Sequence, residues 1–163
     1  MQASFFNEVW FSPAVGFDVA AGKVRLYGAG DRPVSYIALD DVARAIVACV
    51  GNQAVSRKTI EVGGPAAVAP RNAVQLFEQA RGRSFDVEFF PLAGIRGAQA
   101  GTRDPLMASF LGLFEALAVR GDAIDPAWQS LLGVQAQPLP DWIKDHCLAE
   151  DAARRKDGSG CVR

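Results

Sequence analysis

Val24-Arg-Leu-Tyr-Gly-Ala-Gly-Asp-Arg-Pro-Val-Ser-Tyr-Ile-Ala-Leu-Asp-Asp-Val-Ala43 sets two alternating segments, a glycine turn and an aspartate pair in one row. Val24 and Leu26 share a face of a strand over Lys23 to Tyr27, and Val34 to Leu39 reads as a second strand. The Gly28-Ala-Gly30-Asp31 turn between them has the composition of a hairpin. Asp40 or Asp41 then caps a helix whose apolar positions are Val42, Ala43, Ile46, Val47 and Val50, closed by Gly51-Asn52. Strands interleaved with helices of this length predict a mixed α/β chain with some parallel pairing.

The flanks extend the pattern. Met1 to Phe5 reads as the end of a strand, and Phe6 to Ser12 as a short helical or irregular passage stopped by Pro13. Lys58 to Val62 is a short strand running into the breakers Gly63-Gly64-Pro65. Pro70 suits the first turn of a helix carrying Ala73, Leu76, Phe77 and Ala80, ended by Gly82. Phe85, Val87 and Phe89 alternate as a strand. Ile95 to Arg103, rich in Gly and Ala, reads as a mobile loop or lid. Pro105 opens a helix buried through Leu106, Phe110, Leu113, Phe114 and Leu117. A last helix follows Pro138 and buries Trp142 and Ile143. Residues 1–150 are read as the domain and 151–163 as a flexible tail.

Composition narrows the function classes. The chain has 163 residues, half of them hydrophobic, and a net charge of −1. That is a folded chain with no long-range pull toward nucleic acid or an anionic membrane. No apolar run approaches the ~20 residues that cross a bilayer. Cys49, Cys147 and Cys161 form no Cys-x-x-Cys pair, and a single histidine argues against a metal site. A cytoplasmic location is the expectation, with no nucleic-acid or membrane partner.

The usual catalytic signatures are missing. Gly28-Ala-Gly30-Asp-Arg-Pro33 carries Pro33 where a dinucleotide fingerprint needs its third glycine, and a strand follows where a helix N-terminus should receive pyrophosphate. Tyr27 and Tyr36 are each followed four residues on by aspartate, so neither forms a Tyr-x-x-x-Lys pair. Catalytic residues are therefore unknown at this level.

The order of motifs nevertheless resembles a family. Phe5-Phe6-Asn7-Glu8-Val9-Trp10 before Ser12-Pro13, the Gly28-Ala-Gly30-Asp31 turn and Val34 to Ala43 are similar to segments of the NmrA-like branch of the atypical short-chain dehydrogenase/reductases. Thr59-Ile-Glu-Val-Gly-Gly-Pro65, Pro70 and Asp104-Pro105 follow in the family's order, so the resemblance covers Met1 to Ile143. It implies the C-terminal, substrate-side part of an NAD(P)-binding Rossmann-like fold with the N-terminal βαβ units absent. Roughly a hundred or more residues would precede Met1, at ~30 per βαβ unit. The chain could be a fragment, a product of a mis-called start or a short relative.

The implied parent is an NAD(P)H-dependent reductase of a small carbonyl or quinone-like substrate, or a redox sensor without turnover. NAD(P) belongs to the intact family, and little or none is expected to bind this chain alone. The resemblance places Phe6, Asn7, Glu8 and Tyr36 along the substrate and cofactor pocket. Packing in the core is the competing role for each aromatic. The alternative function is a non-catalytic interaction module that pairs an exposed sheet edge with itself, a partner or a missing N-terminal half.

Overall fold

A computed structural model describes residues 1–157. It holds two small sheets wrapped by helices, a mixed α/β arrangement. Strand β1 (Gln2–Ala3) pairs in parallel with β4 (Glu61–Val62), Gln2 opposite Glu61 and Ala3 opposite Val62. The second sheet runs β2 (Phe17–Asp18), β3 (Lys23–Tyr27), β5 (Asp86–Phe90), with β2 antiparallel and β5 parallel to β3. In β3 the expected alternation holds: Val24 and Leu26 are buried while Lys23 and Arg25 face out. Arg25 meets Glu88 of β5 at 2.9 Å, an exposed pair that fixes register more than it adds stability.

Two helices follow the predicted punctuation. Helix α3 (Pro70–Arg81) starts on its proline, buries Ala73, Val74 and Phe77, and stops at Gly82 with φ 62°. Gly82 N–H and Arg83 N–H donate back to the carbonyls of Gln79 and Glu78. Helix α5 (Pro105–Arg120) is capped by Asp104, whose Oδ1 accepts the Leu106 N–H at 2.9 Å. Only Phe114 and Leu117 of its expected apolar stripe are buried; Leu106, Phe110 and Leu113, with Met107, are exposed.

Other expectations need correcting. Val34 to Leu39 is no strand. Its backbone spreads over three neighbours: Val34 N–H donates to the Val68 carbonyl, Ser35 N–H to Asp122 and Ile37 N–H to Phe5. The hairpin therefore forms on the other side of β3, with β2. Ile95 to Arg103 is no loop either: Leu92–Gly101 forms helix α4, anchored by buried Ile95 and by Arg96 donating to Glu115 at 2.7 Å. Helix α2 (Leu39–Cys49) is rotated relative to the reading of its sequence. It buries Asp41 and Ala45, while Ile46, Val47 and Val50 face outward, Val47 at 72% exposure. The short helices α1 (Asn7–Trp10) and α6 (Ala127–Leu132) and the terminal α7 (Leu139–Asp157) complete the fold. The tail expected from residue 151 begins inside α7 as far as Asp157; residues 158–163, with Cys161, lie outside the described residues.

Two apolar clusters hold these elements. One joins Phe11, Phe17, Leu26, Tyr36, Phe77 and Trp142 between β3, α3 and α7. The other joins Ile37, Ala45, Val62, Trp128 and Leu132 between β4, α2 and α6. The crossing point is tight. A Cβ on Gly64 would sit 2.1 Å from the Tyr36 carbonyl oxygen, so only glycine lets these backbones meet.

Candidate functional site

Ligands of open parallel sheets gather beyond the carboxyl ends of the strands. The chain leaving β1 there, from Ala3 through Trp10, forms one wall of a groove of about 660 Å³. The second half of α5 and the residues after it form the other, with Leu113, Leu117, Arg120 and Asp122. Apolar side chains dominate both walls. Trp10 stands edge-on to Phe5 at 4.6 Å between centroids and to Phe114 at 5.6 Å, which fixes its ring.

A polar bond ties the walls together. Ser4 Oγ donates to Asp122 Oδ2 at 2.6 Å. Asp122 is itself held at both backbone atoms: its N–H donates to the Pro33 carbonyl at 2.9 Å and its carbonyl accepts Ser35 N–H at 2.8 Å. Sequence reasoning missed this second wall. Nothing local marks residues 113–122 as partners of residues 3–10, and only the glycine at 121, with φ 69°, signals a sharp exit from α5.

The four residues expected along a pocket go to different places. Phe6 lines the groove. Asn7 begins α1 and is buried, and neither Oδ1 nor Nδ2 has a partner among the described residues. Glu8 turns to α2: Oε1 and Oε2 accept the Leu39 N–H at 3.2 and 3.1 Å. Tyr36 lies in the core with its ring 4.7 Å from Phe11, and burial pushes its phenol well above the usual tyrosine range. Of the four, only Phe6 lines the groove; Asn7 is buried in α1, Glu8 is engaged with α2 and Tyr36 lies in the core.

Asp41 does not cap α2. It sits in the third helical position at 1% exposure, pairs with Arg44 and accepts the Gln137 N–H at 2.9 Å. The first N–H of α2, that of Leu39, donates to Glu8 instead.

A nicotinamide dinucleotide needs a cradle of backbone N–H groups for its pyrophosphate. The Gly28–Gly30 turn leads to no helix N-terminus, and the Gly30 carbonyl accepts Arg71 N–H at 2.9 Å. Gly63-Gly64 is packed against Ser35 and Tyr36. Neither segment fits a pyrophosphate. Among the described residues no group of three or more His, Cys, Asp or Glu is placed to hold a metal ion. No helix among them is long and apolar enough to cross a membrane.

This architecture matches solved enzymes. A new type of NADPH-dependent quinone oxidoreductase from Escherichia coli superposes with a TM-score of 0.66 at 16% identity, over 89% of this chain and 53% of that one. The Citrobacter sp. triphenylmethane reductase complexed with NADP(H) gives 0.64 at 14% identity, over 88% and 50%.

The chain has the fold of the C-terminal part of an NmrA-like, atypical short-chain dehydrogenase/reductase.

One curated relative is also a reductase by name. It is the (4-alkanoyl-5-oxo-2,5-dihydrofuran-3-yl)methyl phosphate reductase of Streptomyces griseus subsp. griseus, 31% identical over 133 residues. The alignment takes in 80% of this chain, and the chain spans 46% of that relative's length. No protein-family model matches the sequence.

Proposed function

We propose that this chain is the substrate-side part of an NAD(P)H-dependent reductase acting on a small carbonyl or quinone-like compound. The observation that carries the reading is the groove at the carboxyl end of β1, built by the segment that leaves the strand. Its volume suits a small molecule, and its walls are apolar with few polar groups, the usual composition of a ligand site. In this reading Phe5, Phe6 and Trp10 exclude water from the reacting face, and Ser4 and Asp122 hold the two walls at a fixed separation. Phe6 lines the pocket, and Asn7 and Glu8 follow it in α1, Asn7 with a buried amide whose hydrogen bonds await a ligand or an adjoining segment. Tyr36 supports the floor from the core. The pyrophosphate end of NAD(P) would rest on a Gly-rich βαβ half outside these residues, so this chain alone binds the cofactor weakly or not at all. A protein of this kind works in the cytoplasm.

The test pairs the chain with such a half, read from the coding DNA upstream or supplied from a relative, and follows NADPH absorbance with small quinones and ketones. Consumption of NADPH that needs both parts is the expected result. Binding of NADPH without consumption of any acceptor would instead support a redox sensor. Failure of the paired protein to bind NADPH would overturn both.

A second reading draws on another face. Ile46 and Val47 of α2 and Val50 just after it are exposed, and among the described residues β1 pairs only with β4. An apolar helix face and an unpaired strand edge are what an interaction module offers, whether to a second copy or to an N-terminal half.

A further inference from the structure

We propose that the groove selects a small organic anion with an apolar body, and that Arg120 is the residue that holds the anionic group. The inference rests on the reading of this groove as the substrate site and adds the charge of what enters it. Three polar side chains line the groove: Ser4, Arg120 and Asp122. Two of them are committed to one another, since Ser4 Oγ donates to Asp122 Oδ2 at 2.6 Å. Arg120 is different. Among the described residues its side chain makes no hydrogen bond or ion pair, and no carboxylate, that of Asp122 included, comes within 4.0 Å of its guanidinium nitrogens.

The guanidinium carries five donors in a planar fork that matches a carboxylate or phosphate. Its place in the last turn of α5 suits a cation, because the helix dipole is negative there. That accounts for the charge and leaves the donors unused. The backbone beneath it is rigid. Gly121 follows with φ 69°, and a Cβ there would lie 2.4 Å from the Pro33 carbonyl oxygen. Asp122 is then fixed through Pro33 and Ser35. Arg120 therefore lines a largely apolar groove from a fixed backbone. An apolar ligand body along Phe6, Trp10 and Leu113 brings a terminal anion to it. Asp122 is the one carboxylate lining the groove, and its bond to Ser4 leaves it offering acceptors only, which disfavours a second acceptor beside it and directs the anion to Arg120.

The experiment measures binding to the 163-residue chain without cofactor, by chemical-shift changes of the Trp10 indole. The probes are hexyl phosphate, hexanoate, hexanol and hexylammonium. Hexyl phosphate or hexanoate should bind at least about tenfold tighter than hexanol, the factor carried by one charge-assisted hydrogen bond. Preference for phosphate over carboxylate, or the reverse, then identifies the anionic group. Arg120→Ala should erase the advantage, Arg120→Lys should keep part of it, and Arg120→Glu should transfer it to hexylammonium. Arg120 is exposed, so these variants keep the fold. Equal affinities for all probes, an anion preference that survives Arg120→Ala, or no binding of any probe would overturn the proposal. None of these results depends on hydride chemistry, whereas the reductase reading stands or falls on NADPH.

Discussion

Glu8 caps a helix to which it does not belong. Its carboxylate, carried by α1 at the groove, accepts the Leu39 N–H at the start of α2 from 31 positions away. Two effects favour this arrangement: the first N–H groups of a helix lack internal partners, and a negative charge is stabilised at that end. The residue preceding α2 is Ala38, which has no side chain to offer. Glu8→Ala should therefore cost about 0.5–2 kcal/mol, the range of a lost N-terminal cap, and Glu8→Gln less, because the acceptor remains. Urea denaturation compares the three proteins; an unchanged midpoint for the alanine variant would show that water replaces the carboxylate.

Neighbouring aspartates should behave very differently. Asp41→Ala removes the acceptor for the half-buried Gln137 N–H and the partner of Arg44, and losing such a bond together with the buried carboxylate's contacts should cost about 1–2 kcal/mol. Asp40 is 86% exposed at the side chain and meets Arg44 at 3.4 Å. Asp40→Ala should stay within about 0.5 kcal/mol of the parent. Equal losses at both positions would contradict the buried role of Asp41.

Glycine substitutions should change sign with place. Gly64→Ala would drive a methyl group into the Tyr36 carbonyl, and overpacking of this kind costs about 1–3 kcal/mol or more. Gly97 lies inside α4 with open space around its Cβ position. There alanine should stabilise by about 0.5–1 kcal/mol through helix propensity. Thermal melts of the two variants should move in opposite directions.

Alkaline pH should destabilise the chain through Tyr36. An unfolded tyrosine releases its proton near pH ~10, whereas burial keeps the folded Tyr36 protonated well above that. The folded state then holds a proton that the unfolded state has lost, so stability falls as pH rises beyond about 10. Below that pH both states are protonated and the term vanishes. Tyr36→Phe should flatten the alkaline limb of a stability-against-pH curve and leave the neutral region little changed in slope.

Association should follow the outward face of α2. Replacing Val47 and Val50 with glutamate removes exposed apolar surface without touching either core cluster. Light scattering should show less self-association in the double variant at equal stability. Unchanged scattering would move the contact to the free edge of β1.

Elements whose causes are local could be read from the sequence. Val24 and Leu26 alternate, Pro70 and Gly82 bracket α3, and Asp104-Pro105 opens α5, each by chemistry within a few residues. Misreadings came where a distant partner decides. Val34 to Leu39 alternates like a strand, yet its backbone partners are Phe5, Val68 and Asp122. The glycines of α4 signal a loop, and only the packing of Ile95 and the contact of Arg96 with Glu115 overrule them. Phe6, which lines the groove, was singled out only through the family resemblance of its segment. Arg120 and Asp122 were not legible, since their role exists only once the wall opposite is in place.

The bond between Ser4 and Asp122 joins residues 118 positions apart. Contacts of such long sequence separation are entropically the hardest to close and tend to form late on a folding route. The helices and the β3–β5 pair can assemble on shorter loops before it. A groove closed by this bond is among the final things the chain builds and among the first it gives up. Its occupant would therefore act as a clasp, slowing unfolding at the point where residues 118 positions apart are stitched together.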